Sequence, residues 1–229
     1  MGGKTVLFLS DSFLPERISA AKLMTDLVRE FSKNGDEVFV VTSFGGTKFN
    51  DLALDERTIR VTNLFHRSQI KVFRLISELI CPIILAIKFR FSFTKNVKFD
   101  ATIIYSPSIF WVVFLWLSGS ERLGIKKLII RDIFPLWYMR AGHVSEKSWQ
   151  YRILNFFAIS QFHRVDEIYA QSAADLWEIK SHFDLTYKPI FILPNWHQIS
   201  ARSKIPATIS NFLALCSSLY QKTLSICHN

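Results

Sequence analysis

Short apolar runs that alternate with helical patterns predict an α/β fold, a doubly wound, Rossmann-like parallel sheet of about seven strands. Three observations carry this reading. Runs rich in β-branched and aromatic residues recur along the chain, beginning with Thr5 to Leu9. Segments with apolar residues at helical spacing separate them. The composition, 229 residues that are 49% apolar and 14% aromatic, is that of a chain able to bury one sizeable core.

The elements follow in order. Thr5 to Leu9 reads as a buried strand, closed by Ser10 and Asp11. After a loop from Ser10 to Ser19, the apolar residues Leu23, Met24, Leu27, Val28 and Phe31 predict a helix, which Gly35 ends. Val38 to Val41 is the second strand, and a right-handed βαβ unit follows because parallel strands need a crossover helix. Thr58 to Leu64 is the third strand. Ile70 to Phe93 is a long helical region, broken or kinked near Pro82. The remaining strands are Ala101 to Tyr105, Lys127 to Ile130, Glu167 to Ala170 and Ile190 to Leu193. Helices are expected through Phe110 to Leu117, from about Glu146 to Phe162, and near Ala173 to His182. Residues 1–196 thus form one domain. Residues 197–229 read either as a linker with a short helical tail, striped by Phe212, Leu213, Leu215, Leu219 and Leu224, or as a truncation remnant.

Charge and motifs exclude several classes. The net charge of +9 favours an anionic partner: a phosphate-bearing substrate, a bilayer surface or nucleic acid. Groove-reading motifs are missing, so no nucleic-acid partner is expected. Cys81, Cys216 and Cys227 form no C-x-x-C pair, which fits a reducing compartment. The six histidines lack metal-ligand spacing, so no metal is expected. G-x-G-x-x-G, P-loop and G-x-S-x-G patterns are all missing, which disfavours a dinucleotide enzyme, a P-loop kinase and an α/β-hydrolase. The longest uncharged stretch of the Ile70 to Phe93 region, Leu79 to Ile87, is too short to span a bilayer.

In an open α/β sheet ligands bind beyond the carboxyl ends of the strands, so the loops after the strands hold the candidates. Ser10 to Ala21 is long, polar and ends in small residues. It reads either as a ligand loop at a helix N-terminus or as a capping turn with Ser19 as N-cap. The strand ending at Ile130 delivers Arg131 and Asp132 to the same edge. Arg131 can clamp a phosphate and Asp132 can accept a hydroxyl's proton; the alternative is an internal Arg–Asp pair that shapes the loop. Ser172 is placed to cap the helix after the Glu167 strand, with or without a ligand role.

Four marks carry a resemblance: the first strand leading into Phe13-Leu14-Pro15-Glu16; Arg131-Asp132-Ile133-Phe134-Pro135; Val165-Asp166-Glu167-Ile168-Tyr169-Ala170-Gln171-Ser172; and Leu193-Pro194-Asn195. In their order and spacing residues 4–196 resemble the N-terminal, acceptor-side domain of family 4 glycosyltransferases, the retaining two-domain GT-B enzymes of bacterial polysaccharide and lipopolysaccharide assembly. Many members carry Gly-Gly where this chain has Ser19-Ala20-Ala21, and a His where it has Arg131. The resemblance implies transfer of a sugar from a nucleotide-sugar to a lipid-linked saccharide acceptor, with O-antigen, capsule or exopolysaccharide as the product. It implies Arg131 and Asp132 as catalytic candidates and Pro15, Glu16, Ser19, Ser172 and Asn195 as substrate-binding candidates. The family's donor site lies in a second domain, for which residues 197–229 leave no room. The chain alone is therefore expected to be inactive. No cofactor is expected, and a nucleotide-sugar serves as substrate if a donor domain is supplied, for instance by a separate chain.

From Arg60 to Asp100 eight Lys/Arg face two acids and are interleaved with phenylalanines. Arg67, Lys71, Arg74, Lys88 and Arg90 read as membrane-facing residues on an anionic bilayer, which places the protein peripherally on the inner face of the cytoplasmic membrane. A solvated basic face is the competing reading. The alternative function, from a different class, is a non-catalytic membrane-associated module that binds a lipid-linked saccharide or a partner enzyme.

Overall fold

The structure, a computed structural model, describes residues 3–16, 18–44, 57–62, 71–106 and 108–196. Among the described residues seven strands form one sheet: β1 (Thr5–Ser10), β2 (Glu37–Phe44), β3 (Thr58–Thr62), β4 (Ala101–Tyr105), β5 (Ile125–Ile129), β6 (Glu167–Ala170) and β7 (Ile190–Ile192). Every pairing is parallel and the order is β3-β2-β1-β4-β5-β6-β7. The direction of winding therefore reverses between β1 and β4, and this is where the crevice at the carboxyl edge opens. Six α-helices connect the strands: α1 (Ser19–Lys33), α2 (Lys71–Phe91), α3 (Trp111–Ser118), α4 (Leu136–Arg140), α5 (Trp149–Arg164) and α6 (Ala173–Phe183). The predicted fold class holds.

Two apolar layers sandwich the sheet. The larger packs α2 through α6 on one face, with Leu85, Phe89, Phe114, Leu128, Ala158 and Ile179 at its centre. The smaller packs Met24, Leu27 and Phe31 of α1 against Phe8, Val40 and Ile103, and Trp196 closes it by donating from Nε1 to the Leu23 carbonyl at 3.0 Å. Strand alternation sends Leu7 and Leu9 to the first layer and Val6 and Phe8 to the second, so each central strand is apolar on both sides. At about 1.5–3 kcal/mol for each fully buried large side chain, these layers dominate the stability of the fold.

Several boundaries differ from the sequence reading. Region 71–91 is one helix that continues through Pro82 rather than breaking there. Cys81, Leu85, Ala86 and Phe89 hold both sides of the proline on the same core face, and that burial outweighs one lost backbone bond. Phe89 and Phe99 are core residues rather than surface aromatics, whereas Phe91 is 77% exposed. Helix α1 begins with an uncapped Ile18, and Ser19 is its first residue, not its N-cap. The expected end signal stands: Gly35, with φ 87°, follows the C-cap Asn34. The sequence pattern did not reveal α4, a single short turn of helix. Among the described residues no helix is long and apolar enough to cross a membrane. Residues 197–229 lie outside the described residues, as do Arg67 and the side chains of Lys71 and Arg74.

Candidate functional site

Register brings Ser10, Tyr105 and Ile129 side by side at the carboxyl ends of β1, β4 and β5. The next residues along each strand, Asp11, Ser106 and Arg131 with its neighbour Ile130, therefore line the mouth of the crevice. Gln171 follows β6 and Asn195 follows β7 along the same edge.

Arg131 is the hub. Its Nη1 donates to the Tyr105 hydroxyl at 3.1 Å and its Nη2 donates to Ser19 Oγ at 3.1 Å. Gln171 Nε2 donates to the Arg131 carbonyl at 3.3 Å, and Asn195 Nδ2 donates to Gln171 Oε1 at 3.2 Å. Loops after β1, β4, β5, β6 and β7 are thus tied into one polar edge. Burial raises the Tyr105 hydroxyl's pKa, and the hydrogen bond and charge of Arg131 oppose that rise. Asp132 lies close enough for its charge to add to the rise at Tyr105. It is exposed, and its carboxylate bonds to no side chain among the described residues. The internal Arg131–Asp132 pair offered as an alternative is not formed; Arg131 is held by two hydroxyls instead.

The other candidates separate. Pro15 and Glu16 lie half-buried in a turn closed by the Glu16 N–H donating to the Phe13 carbonyl at 3.1 Å. Glu16 and Ser19 line a cavity of about 400 Å³ with Leu14, Lys22, Asp26 and Arg29. Carboxylates, cations and a hydroxyl share this wall, which suits a hydroxyl-rich ligand better than a purely apolar one. Ser172 caps α6: its Oγ accepts from the Asp175 N–H at 3.1 Å and donates to Asp175 Oδ2 at 2.7 Å. This N-cap, tightened by the hydroxyl's bond to the Asp175 carboxylate, accounts for the serine without a ligand. Asn195 is exposed and meets the site only through Gln171. Of the basic candidates, Lys88 and Arg90 are exposed, donating to the carbonyls of Arg60 and Leu117 at 3.3 and 3.4 Å. They sit on α2, away from the polar edge.

One acid was passed over. Asp11 Oδ2 accepts from the Ser108 N–H at 3.1 Å, and the Asp11 carbonyl accepts from Ser43 Oγ at 3.1 Å, so this residue ties the loop after β1 to the end of β2 and to the loop after β4. Burial, with the nearby carboxylates of Glu78 and Glu16, pushes its carboxyl up from the usual 3.8 to about 7, against the pull of the Ser108 bond. The Cys81 thiol of α2 rises to about 11, first from burial and then from Asp11 and Glu78. Tyr105, Gln171 and Asp11 are the residues the sequence reading missed. Their common signal was position: each ends a strand or immediately follows one at the carboxyl edge. Among the described residues no group of His, Cys, Asp and Glu forms a metal cluster.

No family model and no curated protein matches the chain. Solved structures do. A UDP-glucosyltransferase from Polygonum tinctorium capable of glucosylating indoxyl, in complex with 3,4-dichloroaniline, matches with a TM-score of 0.53 at 9% identity, covering 92% of this chain and 56% of that one. UGT2 of Phytolacca americana, complexed with UDP-2-fluoro-glucose and pterostilbene, matches with a TM-score of 0.53 at 8% identity, covering 86% and 54%. The chain has the Rossmann-like fold of a GT-B glycosyltransferase domain. It spans about half the length of the solved structures it matches.

An alpha-glucosyltransferase in complex with UDP and a 13-mer DNA containing a HMU base also matches, with a TM-score of 0.47 at 15% identity, over 86% of this chain and 43% of that one. It corrects the expected partners. Nucleic acid was excluded for want of a groove-reading motif, yet here a glycosyltransferase among the matches is bound to DNA. The expectation of no nucleic-acid partner is not supported. None of these three descriptions names a lipid acceptor.

Proposed function

We propose that the chain is the acceptor-side half of a retaining, family 4 sugar transferase of bacterial surface-polysaccharide assembly. It receives a sugar from a nucleotide-sugar bound by a second domain. The observation that carries the reading is the continuous polar edge from Ser19 through Tyr105, Arg131 and Gln171 to Asn195, assembled from five loops at the winding reversal of a GT-B-type sheet. In this reading Arg131 supplies fixed positive charge at the crevice, held by Tyr105 and Ser19. The exposed Asp132 beside it accepts a hydrogen bond from the acceptor hydroxyl. The Ser19 hydroxyl and the cavity containing Glu16 hold the rest of a hydroxyl-rich acceptor. The donor's contacts belong to the second domain.

A second observation supports a place at a membrane surface. Leu75, Ile76, Ile80, Ile84, Ile87 and Phe91 form an exposed stripe along α2, continued by Trp116 and Leu117 of α3 and by Phe156 of α5, whose ring lies 6.5 Å from that of Trp116. So large a contiguous apolar patch marks an interaction surface. Lys88 and Arg90 flank it.

The test is a sugar-transfer assay on the purified chain with radiolabelled nucleotide-sugars and total membrane extract, alone and with lysate from its source. The expected outcome is transfer only when lysate and chain are combined, and its loss with Arg131→Ala or Asp132→Ala chains that melt like wild type. Undiminished transfer by both variants overturns the assignment of the site.

A further inference from the structure

A cluster of aromatic rings stands beside the polar edge and plays no part in the reading above. Immediately after Arg131 and Asp132 the chain enters α4, and within residues 134–143 four rings come together. Phe134 lies 6.1 Å from Trp137 and 5.7 Å from Tyr138, Trp137 lies 5.7 Å from Tyr138, and Tyr138 lies 4.8 Å from His143 at 31°. The assembly is built, not incidental. Gly142, with φ 75°, reverses the chain after α4, its N–H donates to the Met139 carbonyl at 2.9 Å, and the His143 N–H donates to the Tyr138 carbonyl at 3.2 Å. That return folds His143 back onto Tyr138. Leu136 is buried, and Phe134 and Met139 pack on the larger apolar layer, anchoring the turn from beneath. Trp137 belongs to neither layer: it is 47% exposed, and its indole packs against the rings of Phe134 and Tyr138. A rigid, solvent-facing indole beside a binding edge offers a flat apolar surface with one hydrogen-bond donor at its rim.

The charges around it decide what that surface fits. Asp132, the nearest acid in sequence, is exposed and bonds to no side chain among the described residues. The Arg131 guanidinium is directed at Tyr105 and Ser19, and Arg140 is paired with Glu178 of α6. A polyanion laid on the indole would meet a carboxylate and two cations already engaged. A sugar ring, with an apolar C–H face and hydroxyls at its edge, meets an aromatic plane and a free acceptor. We infer that Trp137, supported by Phe134, Tyr138 and His143, is a stacking platform for a neutral sugar ring of the acceptor saccharide, one residue position removed from the reacting hydroxyl. This rests on the acceptor-side reading of the edge and adds the residue that selects the acceptor's class.

The experiment observes the Trp137 indole directly. The chain carries six tryptophans, so the Trp137 indole N–H resonance in a ¹H–¹⁵N spectrum is assigned by its disappearance in Trp137→Phe. The probes are maltotetraose, cellotetraose, β-1,3-glucan, mannan and galactan tetrasaccharides, chitotetraose and, as a polyanion, oligodeoxythymidine. The Trp137 resonance is expected to shift with at least one neutral tetrasaccharide, equally at low and high salt. Trp137→Ala is expected to weaken that binding about tenfold and Trp137→Phe about threefold or less, as loss or retention of a stacking face requires. Thermal melts keep a misfolded alanine variant from being misread, and the phenylalanine variant tests the platform independently. Saccharide binding that moves the Ser19 and Arg131 amides and is unchanged in Trp137→Ala overturns the platform while leaving the acceptor-side reading in place. Failure of every tetrasaccharide to move either set of resonances overturns both. A Trp137 shift with oligodeoxythymidine alone, lost at high salt, makes the platform a nucleobase site and overturns the inference.

Discussion

Replacing Asp11 by Asn tests the electrostatics of the crevice with the least disturbance of shape. The amide keeps an oxygen that accepts from the Ser108 N–H, so the link between the loops after β1 and β4 survives, while the titrating proton is removed. In the folded chain the Asp11 carboxyl titrates at about 7 and in the unfolded chain at the ordinary 3.8. The folded state therefore binds more protons than the unfolded state between those limits. The sign follows: the stability associated with Asp11 is fully present below pH 3.8 and is lost as pH rises through about 7. At 1.36 kcal/mol per pH unit the loss amounts to about 4 kcal/mol, most of it between about pH 4 and 7. Its causes are named groups: burial first, then Glu78 on α2 and Glu16 in the first loop. Asp11→Asn lacks this slope, so wild type and variant should be most alike near pH 5 and diverge by pH 8, with the variant more stable there by several degrees in Tm. Urea unfolding followed by tryptophan fluorescence at about pH 5, 6, 7 and 8 reads the difference. Parallel stability curves for the two proteins would refute the reasoning, because they would mean that Asp11 titrates alike folded and unfolded.

Four further perturbations read other layers of the same argument. Gly124→Ala should lower stability by at least about 2 kcal/mol in a thermal melt, because the glycine has φ 57° and an added Cβ would lie 2.3 Å from the Phe99 carbonyl oxygen and 2.4 Å from that of Asp100. Gly142→Ala, at φ 75° with open space around it, should cost about 1 kcal/mol. Lys127→Ala should cost about 1.5–3 kcal/mol by removing the 2.7 Å ion pair to the half-buried Glu167, which keeps only the Tyr169 hydroxyl as a side-chain partner, and the double variant Lys127→Met/Glu167→Gln should recover most of that loss in denaturant titration. Ile80→Glu/Ile87→Glu should cut co-sedimentation with phosphatidylglycerol vesicles at least about fivefold while leaving the melt unchanged, since both side chains face solvent; equal recovery of variant and wild type would remove the membrane-surface reading.

The fold was legible because its signals are local. Thr5 to Leu9 and Ala101 to Tyr105 are apolar at every position but one threonine each, which a strand covered on both faces requires, and both lie at the centre of the sheet. The Leu23 to Phe31 stripe needed only helical spacing to be seen, and Gly35 to be ended. What failed was also local in cause. Pro82 carries a strong breaking signal, and the sequence does not show the four core contacts on α2 that override it. Phe89 and Phe99 stand among basic residues in the sequence yet are buried, because composition records neither which side of α2 Phe89 takes nor that Phe99, in the loop before β4, turns into the core.

The site was legible in place but not in partners. Knowing that ligands meet the carboxyl edge led to Ser19 and Arg131, since each stands in a loop that follows a strand or opens a helix there, while Asn195 came from the family resemblance. The contacts that organise them are long-range: Arg131 reaches Ser19 across 112 positions and Tyr105 across 26, and Asp11 meets Ser108 across 97. A pattern read along the chain has no access to such pairs. Tyr105 was counted as the last residue of a strand, although a tyrosine that ends a strand places its ring in the core and its hydroxyl at the edge. Asp11 was read as a turn residue because Ser-Asp-Ser is turn-like, and its raised pKa arises first from burial and then from Glu78 and Glu16, of which the fold brings burial and Glu78. Polar residues at strand ends thus carry more functional information than their local pattern shows. In an open α/β sheet the parallel register carries every such residue to one edge, so Asp11, Tyr105, Arg131, Gln171 and Asn195 were bound to converge once the strand order was fixed.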